Sequence, residues 1–265
     1  MTEVQKIIKY VAMAVALCLA VSIIGGIVGG VAILGGILDG SATTDDLTTY
    51  EISSPITALD IEIGAADFTI KEGDSFSVES NLKNLIVKEK NGTLIIEEKT
   101  FFGGTYNGAV LTLYLPFHEF EKAEIATGAG RFTVDSLNAK NLDLELGAGE
   151  VNIDHIWALT ADIDGGAGKL TIDGGTLNNL DLDMGIGQLN LNVESFGESE
   201  LDLGVGESNI TLRGGAKYYT VNIEKGIGSI TVDGKSVSSY ARAGNGQSRI
   251  QINGGVGSIH LNFVD

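Results

Sequence analysis

Acidic side chains recur at a fixed spacing in the second half of the chain. A glycine-containing phrase repeats every nineteen residues, as NLDLELGAGEVNI at 141–153, TADIDGGAGKLTI at 160–172 and NLDLDMGIGQLNL at 179–191. Two positions of the repeat carry carboxylates. The first acidic column is Asp143, Asp162, Asp181 and Glu200, and the second, two residues later in each repeat, is Glu145, Asp164, Asp183 and Asp202.

Carboxylates in such columns could bind cations. If the repeats stack at the strand spacing of about 4.8 Å, each neighbouring pair repels by roughly 1 kcal/mol even in a water-like dielectric. Calcium accepts several oxygen ligands in flexible geometry, so these eight residues form a candidate metal site, with affinity on the order of millimolar because no backbone cage is evident. The alternative is a solvated acidic face whose charges are screened by salt. No other cofactor is predicted.

Catalytic constellations are missing from the sequence. His118, His155 and His260 are far apart, and no His or Cys pair has the spacing of a metal site. The phrase DGKS at 233–236 lacks the leading glycine of a phosphate-binding loop, because Ser229 stands in its place. The net charge of −18 repels nucleic acid, and the acidic columns would repel the acidic polysaccharides that some β-helix enzymes cleave. We therefore predict a protein that is not an enzyme and has no nucleic-acid partner.

The strands that would position the carboxylates follow from the same repeat. Apolar and polar residues alternate on both sides of each Gly-Xxx-Gly step, which is typical of half-buried strands. A fixed period near twenty residues favours a stacked array over a β-sandwich. The prediction is an all-β fold, a parallel β-solenoid (β-helix-like) of about 19-residue coils, each with two strands and two corners, over residues 56–265.

Stacking in sequence order would place like residues in columns. One predicted inward column is Leu144, Ile163, Leu182, Leu201 and Ile223, and another is Phe132, Val151, Leu170 and Leu189. The bend glycines can adopt positive φ angles. The residue between each pair of glycines is predicted to fill the corner from the inside: Ala129, Ala148, Ala167, Ile186, Val205 and Ile227.

The N-terminal region predicts a membrane anchor. No charged residue occurs from 10 to 38, which is longer than the ~20 residues needed to cross a bilayer. Lys6 and Lys9 precede this run and acidic residues follow it, so the positive-inside rule places the N-terminus in the cytoplasm. The predicted order is a cytoplasmic tail at 1–9, a single transmembrane helix at 10–38, a linker at 39–55 and an extracellular domain at 56–265. Cleavage at GSA, residues 40–42, is the alternative.

The predicted membrane helix carries two further features. Small residues at four-residue steps would let two helices approach and self-associate; they are Ala12, Ala16, Ala20, Ser22, Gly26 and Gly30. The chain's one cysteine, Cys18, follows Leu17, where a lipid-attachment motif needs a small residue. We interpret it as an unmodified membrane cysteine.

Several phrases outside the repeats carry a family resemblance. They are ITALDIEIGAADFTI at 56–70, NGTLIIEEK at 91–99 and LTLYLP at 111–116, followed by the Gly-Xxx-Gly units. Residues 56–265 resemble the putative adhesin family of bacterial membrane-anchored β-strand-repeat proteins, a domain of unknown function. The resemblance implies a β-helix-like fold on a bacterial cell surface, and that family has no catalytic residues to carry over.

The predicted function is a non-enzymatic binding or structural module at the cell membrane, single-pass, with its C-terminal domain on the extracellular side. Its partner would be an unidentified envelope or extracellular component. The alternative is an envelope-stress sensor or regulatory protein that acts through another membrane protein.

Overall fold

The protein is described by a computed structural model that covers residues 42–99, 106–238 and 240–265. The predicted cytoplasmic tail, the membrane helix at 10–38 and Cys18 lie outside these residues. Within the covered ranges, no helix has the length and apolarity needed to span a membrane. Strands dominate these ranges, and the helical structure in them is one 3-10 turn at Ala216–Tyr218.

The strands belong to one fifteen-stranded sheet. In chain order they are β1 (Thr43–Glu51), β2 (Ala58–Glu72), β3 (Ser77–Leu82), β4 (Leu85–Lys90), β5 (Thr93–Glu98), β6 (Val110–Leu115), β7 (Glu119–Ile172), β8 (Gly175–Leu177), β9 (Leu180–Val193), β10 (Glu198–Arg213), β11 (Tyr219–Glu224), β12 (Ile227–Val232), β13 (Lys235–Ser236), β14 (Tyr240–Gly244) and β15 (Ser248–Val264).

The coils stack in parallel and in register, as the nineteen-residue period predicts. Leu182 of β9 lies opposite Ile163 on one side and Leu201 on the other, and it is fully buried. Strand β7 is continuous over 54 residues and winds through almost three coils. The inward columns predicted from the alternation are therefore confirmed from Leu144 through Leu201.

The coil that contains β8 has a third strand segment that the repeat did not reveal. Strand β8 pairs in parallel with Ile156–Ala158 of the preceding coil. Leu177 and Ile156 at this pairing are fully buried. The prediction of two strands per coil is thus wrong for this part of the stack, because a strand of three residues shows too little alternation to be distinguished from a turn.

The C-terminal coils do not stack in sequence order. Strand β15 lies between β10 and β11, so Ile252 stands between Leu201 and Ile223. The predicted direct contact of Leu201 with Ile223 is wrong. Parallel pairing requires only that the facing residues match, and the phrase around Gly255 matches its neighbours on both sides.

Antiparallel strands close both ends of the stack. At the first end, β5 and β6 pair in parallel with β2, while β4 and β3 pair with them in the antiparallel direction. Strand β1 then pairs antiparallel with β3. Residues Thr43–Glu51 thus form an edge strand, where a linker over 39–55 was predicted. At the other end β13 and β14 are antiparallel to β12 and β11.

The Gly-Xxx-Gly bends need glycine for two different reasons. The second glycine of each bend has a positive φ, from 126° to 149°, as predicted. The first glycine does not, but a Cβ at Gly166 would overlap the carbonyl oxygen of Gly147 in the preceding coil. Close stacking of backbones therefore excludes any side chain at both glycines.

The residue between the two glycines faces outward, which corrects the prediction that it fills the corner from inside. Ala129 and Ala148 are exposed, Ile186 is half-buried and Ile227 is 52% exposed. Inward residues lie at 144 and 146 before the bend and at 151 and 153 after it, so the alternation slips by one residue there. That slip turns the middle residue away from the core.

Candidate functional site

The acidic columns predicted from the sequence exist in the structure. Asp181 lies opposite Asp162 and Glu200, and Asp183 lies opposite Asp164 and Asp202, on adjacent parallel strands. Seven of the eight carboxylate residues are exposed, and Asp143 is half-buried. The outward alternation of these strands therefore brings the predicted residues together as two ladders.

Polar side chains interact with the carboxylates at the two ends of the columns. Lys122 forms an ion pair with Glu124, and its charge also acts on Asp143. At the other end, Asn253 Nδ2 donates hydrogen bonds to Glu200 Oε1 at 2.8 Å and Asp202 Oδ1 at 2.6 Å. The four central aspartates, Asp162, Asp164, Asp181 and Asp183, have no ion-pair partner among the described residues.

Partial burial and neighbouring carboxylates raise the pKa of three column residues, Asp143, Asp181 and Asp183. Partial burial, followed by the charges of Asp202, Asp181, Asp164 and Asp162, raises the pKa of Asp183 to about 6. Burial and then the Asp162 charge also raise the pKa values of Asp181 and Asp143. The column centre is consequently a place where added positive charge would relieve repulsion.

The ladders do not form a compact chelating group. Across the described ranges, no three His, Cys, Asp or Glu side chains are grouped as a metal ion would require. The predicted weak calcium site at the eight carboxylates thus stays a prediction.

The histidines lie elsewhere in the fold. His155 stacks on Trp157, His118 packs edge-on against Phe120, and His260 Nδ1 lies 2.8 Å from Thr231 Oγ1.

The second acidic column borders a groove that the sequence did not predict. The groove has a volume of about 780 Å³ and follows the Gly-Xxx-Gly bends from coil to coil. Glu145, Asp164, Asp183 and Asp202 line it, whereas the residues of the first column do not. The two columns, equivalent in sequence, therefore have different surroundings.

Most of the remaining groove lining is apolar or glycine, and its polar members are Glu62, Glu98, Thr127 and Asn253. The apolar lining residues with larger side chains are Ile63, Leu146, Met184, Leu203, Val205, Ile227 and Val256. A Cβ at Gly165 would overlap the Met184 sulfur, so Met184 occupies the space left by this glycine. At the first end of the groove, Glu98 accepts hydrogen bonds from the backbone N–H groups of Gly64 at 2.8 Å and Ala65 at 3.2 Å.

A signal for this groove was present in the sequence but had no interpretation without the bend geometry. Ile63, Leu146, Met184 and Leu203 each stand directly before the first glycine of a bend. Their alternation matches the core-facing residues, and only the slip at the bend places them beside an open surface.

The comparison with protein families decides the identity of this fold. The model of the family described as Toastrack DUF4097 matches residues 56–259. The chain belongs to the Toastrack DUF4097 family. The resemblance inferred from the three N-terminal phrases and the Gly-Xxx-Gly units is therefore confirmed. No curated protein matches this Toastrack chain.

Solved structures similar to this Toastrack chain include proteins from Bacteroides fragilis and Parabacteroides distasonis. A putative adhesin from Bacteroides fragilis is 14% identical with a TM-score of 0.50, over 83% of this chain and 98% of the other. A putative adhesin from Parabacteroides distasonis is 15% identical with a TM-score of 0.46, over 84% and 100%. A putative lipid binding protein from the same organism is 13% identical with a TM-score of 0.37, over 82% and 98%. The Bacteroides fragilis likeness supports the fold.

Proposed function

We propose that this Toastrack protein is a non-enzymatic binding or structural module on the bacterial cell surface, held by one N-terminal membrane helix. The observation that carries this function is the stack itself. In-register coils, closed at both ends by antiparallel strands, present one continuous groove and one acidic face. Such a repetitive surface suits binding along its length, as in other repeat proteins.

Two further observations support a surface role. The chain is similar to a solved structure of a protein described as a putative adhesin. In addition, the charge asymmetry around residues 10–38, with Lys6 and Lys9 before the apolar run and Asp39 after it, is the pattern that leaves the C-terminal part outside the cytoplasm.

The location is tested by adding protease to intact, wall-stripped cells that express the full chain. We expect residues 56–265 to be degraded, while a cytoplasmic marker protein stays intact. Full protection of the domain would contradict the proposed topology.

The binding role is tested on cells that display the full chain. We expect these cells to adhere to one or more surfaces in a panel of bacterial envelopes and extracellular proteins, and vector-only cells not to adhere. Replacing residues 10–38 by an unrelated membrane helix should leave adhesion unchanged. A sensor that acts through its membrane helix, the alternative function, would instead lose its response after this replacement.

A further inference from the structure

The groove along the bends has two chemically different sides. On one side stand carboxylates from four successive coils, Glu145, Asp164, Asp183 and Asp202, with Glu62 further along beyond Ala126. On the other stand glycines and apolar side chains, which include Val205, Ile227 and Val256. A ligand that fills the groove must therefore be charged along one edge and apolar along the other.

The charge of the ligand follows from the residues that line the groove. Six of these described residues are Asp or Glu, and none is Lys or Arg. The net charge of the whole chain, −18, has the same sign. Charge complementarity therefore selects a basic partner, because like charges brought together would be strongly unfavourable.

Two apolar side chains that line the groove are exposed. Ile227 is 52% exposed and Val256 is 36% exposed, and they lie on adjacent strands, opposite each other. Exposed apolar groups that form a strip beside charged residues mark binding surfaces more often than scattered ones do.

The spacing of the carboxylates selects the conformation of the ligand. Neighbouring coils are about 4.8 Å apart. A helix that lies along the stack returns a side chain to the same edge every turn, or about 5.4 Å. Residues on the same side of an extended peptide are about 6.6 Å apart. Their spacing would therefore fall out of step with the carboxylates after fewer coils than that of a helix.

We propose that the groove binds a basic amphipathic α-helix of a partner protein, with Lys or Arg along the edge that faces the second acidic column. The apolar edge of that helix packs on Met184, Val205, Ile227 and Val256. Helix-in-groove recognition of this kind uses anchors at i, i+3, i+4 and i+7. This inference rests on the proposed binding role and names the chemistry of the partner.

The probe for the test is a fluorescent Leu/Lys peptide of about fourteen residues, four helical turns, with leucine on one face. The full-length chain is immobilised, and peptide binding to it is measured by surface plasmon resonance. Two control peptides have the same composition, one with its residues scrambled and one with Leu and Lys in strict alternation. We expect the helical pattern to bind most tightly.

Two charge-matched variants separate the groove from the acidic face as a whole. The groove variant carries Asp164→Asn, Asp183→Asn and Asp202→Asn. The control variant carries Asp162→Asn, Asp181→Asn and Glu200→Gln, and it loses the same three charges outside the groove. We expect affinity to fall about tenfold in the groove variant, since three exposed ion pairs are removed, and to change less than about twofold in the control.

A variant of the apolar side completes the experiment. Ile227→Asn should weaken binding several-fold, and the half-exposed position should let the chain fold normally. The proposal is overturned if no peptide binds, if the scrambled or alternating peptide binds as tightly, or if the two triple variants lose affinity equally. Loss of cell adhesion with intact peptide binding would instead contradict the proposed function alone.

Discussion

Asp164 and Asp183 lie directly opposite each other on adjacent parallel strands, and both line the groove along the bends. Their like charges oppose folding, because side chains on neighbouring strands are held close together in the native state and are far apart in the unfolded chain. The energetic consequence of this arrangement can be measured through the pKa of Asp183.

We expect the free energy of unfolding to increase as the pH falls from 7 towards 4. The pKa of Asp183 is about 6 in the folded state, above its ordinary value of 3.8. Between these values the folded state binds more protons than the unfolded state, so unfolding becomes less favourable as the pH decreases through this window. Thermal melting at several pH values measures the effect.

The control for this pH dependence is Asp183→Asn. The variant should be more stable than the parent at pH 7 and should lose part of the pH dependence between about 4 and 6. Identical pH profiles for the parent and the variant would show that Asp183 does not carry the effect.

Adjacent residues on one strand should respond in opposite ways to substitution. Leu182→Asp places an unpaired charge between buried coils and should cost several kcal/mol of unfolding free energy. The Asp181 side chain faces solvent, and its change to Asn removes repulsion between carboxylates. Asp181→Asn should therefore leave the free energy of unfolding unchanged or raise it slightly. Denaturant unfolding compares the two variants, and equal damage from both would mean that the assignment of inward and outward faces is wrong.

Substitution of a bend glycine should destabilise the fold far more than substitution of a turn glycine whose φ is also positive. Gly187→Ala combines a positive φ with overlap on the backbone of Gly168, and we expect a loss of about 3 kcal/mol or more. Gly234→Ala also has a positive φ but open space around it, so about 1 kcal/mol is expected. A similar loss of unfolding free energy in both variants would refute the role of close stacking.

The insertion of β15 between β10 and β11 can be tested by cross-linking. Asn209 and His260 lie opposite each other on adjacent strands, at about the 4.8 Å spacing that a disulfide tolerates. Asn209→Cys with His260→Cys, in a Cys18→Ser background, should form a disulfide visible as a mobility shift on a non-reducing gel.

The control for this cross-link is a second double variant, Asn209→Cys with Thr231→Cys. These residues would be neighbours if the coils stacked in sequence order, but His260 lies between them, at a separation of about 10 Å that a disulfide cannot span. Efficient cross-linking of this second pair would contradict the observed strand order.

Calcium at millimolar concentration should raise the melting temperature of the chain, because cations that bind only the folded carboxylate ladders stabilise it. The series is run at constant ionic strength, which removes plain screening. A variant with Asp162, Asp164, Asp181 and Asp183 changed to Asn should show no such gain. If the parent shows none, or the variant gains as much, the columns are a solvated acidic face.

The sequence determined the regular part of this protein by itself. A nineteen-residue period with alternating apolar residues has few solutions other than stacked coils, so the column through Leu144, Ile163 and Leu182 and the ladder of carboxylates beside it could be predicted. Asn190 and Asn209, which stand one repeat apart after the bend, follow the same rule, since Asn209 Nδ2 donates a hydrogen bond to Asn190 Oδ1 at 3.1 Å. These features depend on contacts between residues one repeat apart, and the nineteen-residue period identifies those residues directly.

Only the tertiary structure decided the order of the coils and the difference between the acidic columns. Parallel strands with matching faces pair equally well in several orders, so nothing local in the sequence places Ile252 between Leu201 and Ile223. Likewise, Asp162 and Asp164 occupy equivalent outward positions, but the turn of the backbone at Gly166 brings only Asp164 to the groove. That turn depends on how closely neighbouring backbones approach, a property of the packed stack and not of any single repeat.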